Sequence, residues 1–572
     1  MRRNHILFFI LLLFNAFHIK AQFPYPGDYF RSPVDFPISL SGTFAELRGN
    51  HFHSGIDITT QKEEGKNIYA CADGYISRIK ISPYGFGKAL YITHPNGYTT
   101  VYAHLSSFNN TIDQWLRAEQ YKLELFEVDL FPKKNELHVN KGEIVCYSGN
   151  SGSSEGPHLH FEIRDSESEK PIDPQLFGFE IRDFIRPAIL SLRIYPEGGE
   201  SSIANMVTEY TPELSGWGPV YRLKNKDTVN VAGSFSLGLL CHDLLNGNKN
   251  RNGISSYSVY IDSILKFNWQ AETFSFSETR YINSFIDFAH FYKSGQRYIR
   301  TKIDPNNKLS MYRNADNRGV FTTIPGSILH VRITVSDASK NESILRFIIR
   351  GVEGEKPEQT GVTGKPVISC LKSNTFEYHG ITMVFPENSL YDDLFFDFSF
   401  EDAGSNTCSP YYNIHHPEVP LHDYINLTIL MDSIFHVYGS KMTLASIKPG
   451  KAPYSIGGEF KNGLFKAKIR EFGQYTVMLD TLPPVIKPLN ISEGKIITTQ
   501  QTIRLSIRDD FSGIKSYRAT LNGKWILMDY DAKNRLLEYK RDNRLFDGKN
   551  EFLLRVEDYC GNASKFEAIL IN

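Results

Sequence analysis

Short stretches of alternating apolar and polar residues, separated by turn residues at close intervals, recur along this chain of 572 residues. An alternation with a period of two is typical of strands that bury one face. Turns such as Asp73-Gly74 and Asn96-Gly97 separate these stretches near the start of the chain. The pattern predicts an all-β protein that begins with a compact antiparallel β-sheet domain. The predicted strands of this domain are Asn67–Ala72, Tyr75–Ile81, Ala89–His94, Thr99–His104, Glu143–Ser148 and His158–Arg164.

One segment interrupts the alternation. Thr111 and Gln114 fit the capping-box pattern, and apolar residues from Ile112 onward recur at helical spacing. We therefore predict a helix over residues 111–125, inside an insertion of about 108–138. The helix either packs against the core without a further role or forms a wall or lid over a site.

The first residues are typical of an export signal. Two arginines precede the unbroken apolar run 6–14, and small residues follow up to Ala21. This order predicts a secretory signal peptide over residues 1–21, with an uncleaved anchor as the alternative. No later stretch approaches about 18 consecutive apolar residues, so we expect no transmembrane segment in the mature chain. The sequence thus predicts an exported protein of the periplasm, the cell envelope or the medium.

The charge and the cysteine content of the chain limit the classes of function that it can have. The chain has 63 Lys and Arg against 64 Asp and Glu, so no overall basic field attracts nucleic acid, and we expect no nucleic-acid partner. Residues 22–179 alone carry 14 basic and 20 acidic residues. Six cysteines lie scattered without the spacing of metal ligands. We expect buried thiols, with a Cys71–Cys146 disulfide as the alternative.

The chain after residue 180 contains an internal repeat. Residues 251–262 (RNGISSYSVYID) resemble residues 511–522 (FSGIKSYRATLN), and residues 329–346 resemble residues 550–566. Short strands and regular turns predict β-sandwich modules of the immunoglobulin type for both copies, with a further β module between them. We name the predicted units the front domain (22–179), the second module (180–355), the third module (364–480) and the final module (481–572).

Aspartates stand near turns in both copies of the repeat. Asp337, Asp509 and Asp558 either cap these turns through side-chain hydrogen bonds or bind calcium. The three modules are expected to bind a glycan or a protein ligand, an expectation that rests on fold type alone.

Three short motifs in the front domain carry residues with catalytic chemistry. His158 and His160 lie two residues apart, so an extended strand places both imidazoles on one face, as a pair of metal ligands or as a ligand beside a catalytic base. His53 and Asp57 are an even number of residues apart, so an extended strand would place their side chains on one face as well. Two histidines and an aspartate with an open fourth position are typical of a catalytic zinc site. The motifs are His53-x-Gly55-x-Asp57, Tyr102-Ala103-His104-Leu105 and Gly156-x-His158-Leu159-His160-Phe161-Glu162.

Together these motifs resemble those of the lysostaphin/LytM-type zinc metallopeptidases, over about residues 40–177. Members of that family are compact antiparallel β domains that hydrolyse peptide bonds in peptidoglycan stems or cross-bridges. The resemblance implies that the front domain is a zinc endopeptidase with a peptidoglycan peptide as its substrate. A non-catalytic peptidoglycan-binding or scaffold and activator protein, and a zinc carboxypeptidase, are the alternatives.

The resemblance also implies a role for each histidine of the motifs. It makes His53, Asp57 and His160 the ligands of one zinc ion. It places His104 and His158 beside the zinc-bound water, one as the general base and the other as the group that stabilises the oxyanion, in an order that the motifs leave open. His51 is an extra histidine that the motif does not favour as a ligand.

Overall fold

The computed structural model describes residues 25–247, 249–354 and 364–572, so the predicted signal peptide lies outside the described residues. The predicted all-β class is confirmed, because strands make up nearly every regular element of this part of the chain. The helices found there are all too short or too polar to cross a membrane.

The front domain is built on a nine-stranded antiparallel sheet with the order β1-β2-β11-β6-β5-β4-β8, in which β12 pairs with β11 and β9 with β4. A small three-stranded sheet, β3-β10-β7, lies beside it. The strands are β1 (Leu40–Gly42), β2 (Ile56–Thr59), β3 (Asn67–Tyr69), β4 (Gly74–Ile81), β5 (Lys88–Thr93), β6 (Tyr98–Ala103), β7 (Ser107–Phe108), β8 (Val128–Leu130), β9 (His138–Val139), β10 (Ile144–Tyr147), β11 (His158–Asp165) and β12 (Pro171–Ile172).

The two faces of the central strands differ as their alternation predicts. Leu159 and Phe161 of β11 and Tyr102 of β6 are fully buried in the core of the front domain. The opposite face carries a smaller apolar patch that includes Val101 and Ala103, and His158 and His160 lie on this side.

The predicted helix is present as α1 (Asn110–Leu123), but the predicted cap is wrong. Asn109, not Thr111, is the N-cap, and its side chain accepts a hydrogen bond from the Ile112 N–H at 2.9 Å. The Asn109 amide group also donates to the Ile144 carbonyl of β10 at 2.9 Å. This second bond ties the start of the helix to the neighbouring strand, which Thr111 is too far along the chain to do.

All six cysteines are free thiols in the structure. Cys71 and Cys146 are both buried in the core of the front domain without forming the alternative disulfide. Burial raises the pKa of the Cys71 thiol to about 12, so the thiol stays protonated and unreactive.

The second module forms one connected eleven-stranded sheet, where the prediction expected two separate antiparallel sheets. The long strand Thr228–His242 is the reason, because it pairs with four other strands along its length, one of them parallel. The strands are Ala188–Ile203, Leu214–Trp217, Val220–Leu223, Thr228–His242, Ser256–Ile261, Ile264–Gln270, Ile299–Arg300, Tyr312–Ala315, Phe321–Thr322, Ile328–Ser336 and Glu342–Gly351, with helices α2 (Ile282–Phe285) and α3 (Phe288–Ser294).

The third module has two five-stranded sheets and one pair of strands, and the final module has two four-stranded sheets. The strands of the third module are Val367–Ile368, Asn374–Tyr378, Ile381–Phe385, Leu394–Phe395, Phe398–Glu401, Tyr411–Ile414, Ile425–Leu430, Met442–Ile447, Tyr454–Gly457, Glu459–Lys461, Leu464–Ile469 and Gly473–Leu479. Those of the final module are Val485–Pro488, Thr502–Arg508, Ile514–Leu521, Lys524–Trp525, Met528–Asp531, Leu536–Lys540, Lys549–Asp558 and Ala563–Ile571. Short 3-10 segments of four to nine residues complete the chain at Pro174–Phe177, Phe276–Tyr281, Asp316–Gly319 and Ser433–Lys441.

The front domain shares apolar cores with two other modules. Phe44 and Phe52 of the front domain are buried in the core of the second module. Trp525 and Leu527 of the final module are buried with the core of the front domain. The domain that carries the three motifs is therefore held from two sides.

Candidate metal centre

Neighbouring strands of the large sheet bring the three motifs together. In the antiparallel pairing of β2 with β11, Asp57 lies directly opposite His160. In the pairing of β11 with β6, His160 lies opposite Ala103, and His104 is the next residue of the chain. His53 precedes β2 and is held by backbone hydrogen bonds with Ala45 and Glu46. The order β2-β11-β6 thus gathers residues that are far apart in sequence.

Three ligand atoms meet at the centre of this arrangement. His53 Nε2 and His160 Nδ1 each lie 3.0 Å from Asp57 Oδ1, and the two nitrogens lie 3.0 Å from each other. All three side chains are buried. Tetrahedral zinc with bonds of about 2.0 Å separates its ligand atoms by about 3.3 Å, so this triangle matches one face of such a site.

When His53 and His160 are neutral, their outer hydrogen bonds leave the inner nitrogens as the ones without protons. His53 Nδ1 lies 2.8 Å from the carbonyl oxygen of Thr43, which can only accept, so the ring donates from Nδ1 and presents a lone pair at Nε2. His160 Nε2 lies 2.9 Å from Glu162 Oε1, which leaves the lone pair on Nδ1. Two lone pairs and a carboxylate oxygen facing one point form a donor set that a cation fits.

The charges around the three ligand atoms are consistent with a cation site. Burial alone would raise the pKa of Asp57, but His53, His158 and His160 outweigh it and hold the pKa well below its usual range. Burial would lower the pKa of His160, yet hydrogen bonds to Asp57 and Glu162 raise it to about 9. The centre therefore attracts positive charge, which a bound metal would supply in place of a proton.

His104 and His158 lie beside the three ligand atoms, with their ring centroids 4.8 Å apart. His104 Nδ1 donates to the Ser151 carbonyl at 2.9 Å, and His158 Nδ1 donates to the Gly156 carbonyl at 2.8 Å. A neutral ring that donates from Nδ1 has its lone pair on Nε2, and His158 Nε2 lies 3.4 Å from Asp57 Oδ1.

His104 is held neutral and in an unusual backbone conformation. Burial, with the nearby His160 and His158, lowers its pKa to about 3. Its φ angle is 60°, a left-handed value that costs a residue other than glycine roughly 1 kcal/mol. A hydrogen bond from the His104 N–H to the Phe86 carbonyl at 2.9 Å holds this conformation, which aims the ring at the centre.

Gly55 is required by the close approach of two strands. In the structure a Cβ atom at this position would lie 2.3 Å from the Phe161 carbonyl oxygen of β11. The glycine therefore lets β2 approach the backbone of β11 and bring Asp57 to His160.

Five further side chains surround the ligands without having been predicted. Glu162 is fully buried and also accepts from Ser54 and from Arg164, while Arg48 donates to Asp57 Oδ2 at 2.9 Å. The ring of Phe86 lies 4.9 Å from that of His160 and forms an apolar side of the site. The parity that Glu162 shares with His160 could have indicated its place, but no local pattern points to Arg48 or Phe86.

Other histidines of the front domain lie away from the ligand cluster. His51 is exposed and hydrogen-bonded to the Gly49 carbonyl at 2.9 Å. His94 is buried between the Asp73 carbonyl and the Thr100 hydroxyl, which supports its interpretation as a structural residue. The cluster itself consists of His53, Asp57 and His160.

Two family models match parts of the chain. The model of peptidase family M23 matches residues 51–121, and that of the Zu5-like domain matches residues 365–480. The first match begins at the first motif and contains His104, and the second nearly coincides with the third module.

Curated relatives match the same front region. The DD-carboxypeptidase/endopeptidase Mpg of Neisseria meningitidis is 34% identical over 122 residues, which are 21% of this chain and 22% of the relative. The peptidoglycan DD-endopeptidase ShyA of Vibrio cholerae is 29% identical over 139 residues, 23% of this chain and 26% of the relative. A solved zinc-containing peptidase from Vibrio cholerae aligns with 27% identity and a TM-score of 0.19, covering 25% of this chain and 38% of that one.

These matches cover only about a fifth of the length of the first curated relatives, so the similarity concerns one domain. Within that domain the family match spans the first two motifs. The resemblance to lysostaphin/LytM-type peptidases is thereby confirmed: the front of this chain matches the model of peptidase family M23.

Proposed function

We propose that the front domain is a zinc-dependent endopeptidase that hydrolyses peptide bonds in bacterial peptidoglycan stems or cross-links. The observation that carries the proposal is the convergence of His53 Nε2, Asp57 Oδ1 and His160 Nδ1, with two acceptor imidazoles beside them. The names of two relatives, a DD-carboxypeptidase/endopeptidase and a peptidoglycan DD-endopeptidase, support the choice of substrate.

In this proposal His53, Asp57 and His160 hold the zinc ion. When bound, zinc activates a water molecule and polarises the scissile carbonyl. The Nε2 atoms of His104 and His158, whose Nδ1 atoms donate to carbonyls, can accept the proton of that water. A ring that has accepted a proton becomes a donor, and it can then stabilise the negative charge that develops on the carbonyl oxygen.

The remaining parts of the chain have supporting roles in the proposal. The protein is exported, and the second, third and final modules place the enzyme by binding a glycan or a protein of the envelope. The alternative is a scaffold or activator that grips peptidoglycan without turnover. The complete ligand set favours the enzyme, because a protein that only binds has no need of three ligands and two further imidazoles.

Digestion of purified sacculi by residues 22–572 tests the proposal, with the released fragments identified by mass spectrometry. We expect soluble muropeptides from the zinc-loaded protein, none after chelation, and none from His160→Ala, which removes a ligand. His104→Ala should lower the rate by at least about 100-fold, since a positioned acid or base contributes about that much. His51→Ala is the matched control and should digest normally.

The fragments also separate the alternatives. An endopeptidase opens cross-linked dimers, whereas a carboxypeptidase releases free alanine from stem ends and leaves the cross-links intact. Binding to sacculi without release of any fragment would indicate a scaffold. Unchanged digestion in the presence of the chelator would refute a zinc mechanism.

A further inference from the structure

Three aspartates meet where the chain enters the second module. Asp183 lies five residues before the first strand of the module, and Asp243 and Asp337 each directly follow a strand. All three side chains are buried, and their carboxylate oxygens lie within 4.8 Å of one another. Among the described residues, no Lys or Arg is one of the groups that chiefly shift the pKa values of the three carboxylates.

One oxygen of this cluster has no partner. Asp243 is only 2% exposed, and its Oδ1 accepts no hydrogen bond from any described residue. A buried carboxylate oxygen has lost its hydration, and two neighbouring carboxylates add repulsion. Burial, reinforced by Asp183 and Asp337, accordingly raises the pKa of Asp243 to about 8. A cation at this point would relieve both costs.

The final module contains the same arrangement at equivalent places. Asp480 again lies five residues before the first strand, Asp509 directly follows the second strand, and Asp558 ends the strand that corresponds to the one before Asp337. Their carboxylate oxygens also lie within 4.8 Å of one another. The recurrence shows that the cluster is a feature of this type of module and not an accident of one loop.

An asparagine four residues after the last aspartate orients each cluster. Asn341 Nδ2 donates to Asp337 Oδ2 at 2.8 Å and to the backbone carbonyl of Asp183 at 3.2 Å. Asn562 makes the equivalent bonds to Asp558 Oδ2 at 2.8 Å and to the Asp480 carbonyl at 3.0 Å. Each asparagine thus links the segment that enters the module to the turn beneath it.

The two clusters differ at the middle aspartate. Asp509 Oδ1 accepts hydrogen bonds from the backbone N–H groups of Phe511 and Gly513, at 3.1 and 2.6 Å. The corresponding residue of the second module, Asp243, keeps its Oδ1 without a partner. The cluster of the second module is therefore the one with a carboxylate oxygen left free for a ligand.

We propose that Asp183, Asp243 and Asp337 bind one hard divalent cation of the Ca²⁺ class. Carboxylate oxygens are the donors that such ions prefer, whereas zinc favours nitrogen and sulfur in sites of this kind. Oxygens that bind one Ca²⁺ ion at about 2.4 Å lie no more than about 4.8 Å apart, a limit that the three carboxylates satisfy. Mg²⁺ demands near-ideal octahedral geometry and gives up its water reluctantly, so we expect it to bind this site more weakly.

The position of the cluster indicates what a bound cation would do for the structure. Asp183 belongs to residues 178–187, which join the front domain to the second module, while Asp243 and Asp337 belong to the module itself. A cation shared by the three residues ties this joining segment to two strand ends. It thereby stabilises the attachment of the front domain without touching the metal centre of the motifs.

Calcium binding to residues 22–572 tests the inference, independently of any hydrolysis. The protein is stripped of metal, reloaded with one equivalent of zinc, and titrated with CaCl₂ or MgCl₂ in a calorimeter. We expect saturable Ca²⁺ uptake with a dissociation constant on the order of 10⁻⁴–10⁻³ M, and weaker uptake of Mg²⁺. A tenfold excess of Ca²⁺ over that constant should raise the melting temperature by on the order of 2–4 °C.

The variant Asp243→Asn distinguishes a binding site from a merely structural cluster. Without calcium it should melt no lower than the parent protein, because it removes a buried carboxyl group whose ionisation is opposed by burial and by Asp183 and Asp337. It should lose one equivalent of Ca²⁺ uptake and the accompanying rise in melting temperature. The control Asp227→Asn, an exposed position of the same module, should keep both. Absence of Ca²⁺ uptake up to about 5 mM, or full uptake by Asp243→Asn, would overturn the inference.

Discussion

Glu162 shows how a single buried charge can organise the metal centre. Its side chain is fully buried, and Arg164 and His160 outweigh the effect of burial, so the pKa of Glu162 falls to about 2. One oxygen accepts from His160 Nε2 and from Ser54, and the other accepts from Arg164. Arg164 in turn stacks over Phe276 of the second module at 4.5 Å. Glu162 thus fixes the tautomer and the orientation of a metal ligand.

We predict that Glu162→Gln weakens zinc binding by about 10–100-fold, which is typical for loss of a partner that orients a metal-bound histidine. The uncharged amide no longer increases the basicity of His160, and it leaves Arg164 buried without its counter-charge. Competition with a chromophoric zinc chelator measures the affinity. Glu155→Gln, an exposed glutamate of a nearby loop, is the control, and equal affinities for the two variants would contradict the prediction.

At the residue scale, the sequence could show which side chains meet but not everything that positions them. His158 and His160 share a face because strand parity is a local property. Arg48 and Phe86 come from segments whose approach to the ligands depends on long-range pairing, so neither has a local signal. The need for a glycine at position 55 has no local signal either, because the carbonyl that excludes a side chain there belongs to another strand.

At the scale of elements, α1 illustrates where local patterns are ambiguous. Asn109 and Thr111 are both good caps by residue type, so sequence alone does not choose between them. The choice depends on the Ile144 carbonyl of β10, which binds the Asn109 amide and so favours the earlier start. The long alternating strands β4, β6 and β11 were predictable for the opposite reason, because burial of one face dominates their pattern. Two- and three-residue strands such as β9 are too short to show a period.

The cap assignment yields a direct comparison of two substitutions. Asn109→Ala should lower the free energy of unfolding by about 1 kcal/mol, since it removes the hydrogen bond to the Ile112 N–H. Thr111→Ala, at an exposed position inside the helix, should change it by less than about 0.5 kcal/mol. Chemical denaturation followed by circular dichroism measures both. An equal or larger effect of Thr111→Ala would restore the capping box as the start of the helix.

At the scale of the whole molecule, the final module contacts the front domain close to the catalytic residues. Lys533 donates to the carbonyls of Asn150 and Ser154, in the loop whose Ser151 and Gly156 carbonyls hold His104 and His158. Lys88 forms a salt bridge with Asp529 at 3.1 Å, and Arg518 pairs with Glu124 just after α1. The sequence repeat identified the module, but it could not show this interface, because apolar residues on both sides look like ordinary core residues.

The interface predicts that the final module affects both the stability of α1 and the activity of the front domain. Trp525 is 8% exposed and packs edge-on against Tyr121 of α1, with the ring centroids 5.3 Å apart. Trp525→Ala leaves a cavity that typically costs about 3 kcal/mol, which is enough to loosen the docked module. We expect faster amide hydrogen exchange across Asn110–Leu123 and a reduced rate of sacculus digestion, because the loop that holds His104 and His158 loses its contacts with Lys533. Tyr559→Ala removes an exposed aromatic ring of the same module and should change neither quantity. If exchange in α1 stayed as slow in Trp525→Ala as in Tyr559→Ala, the final module would not stabilise the front domain.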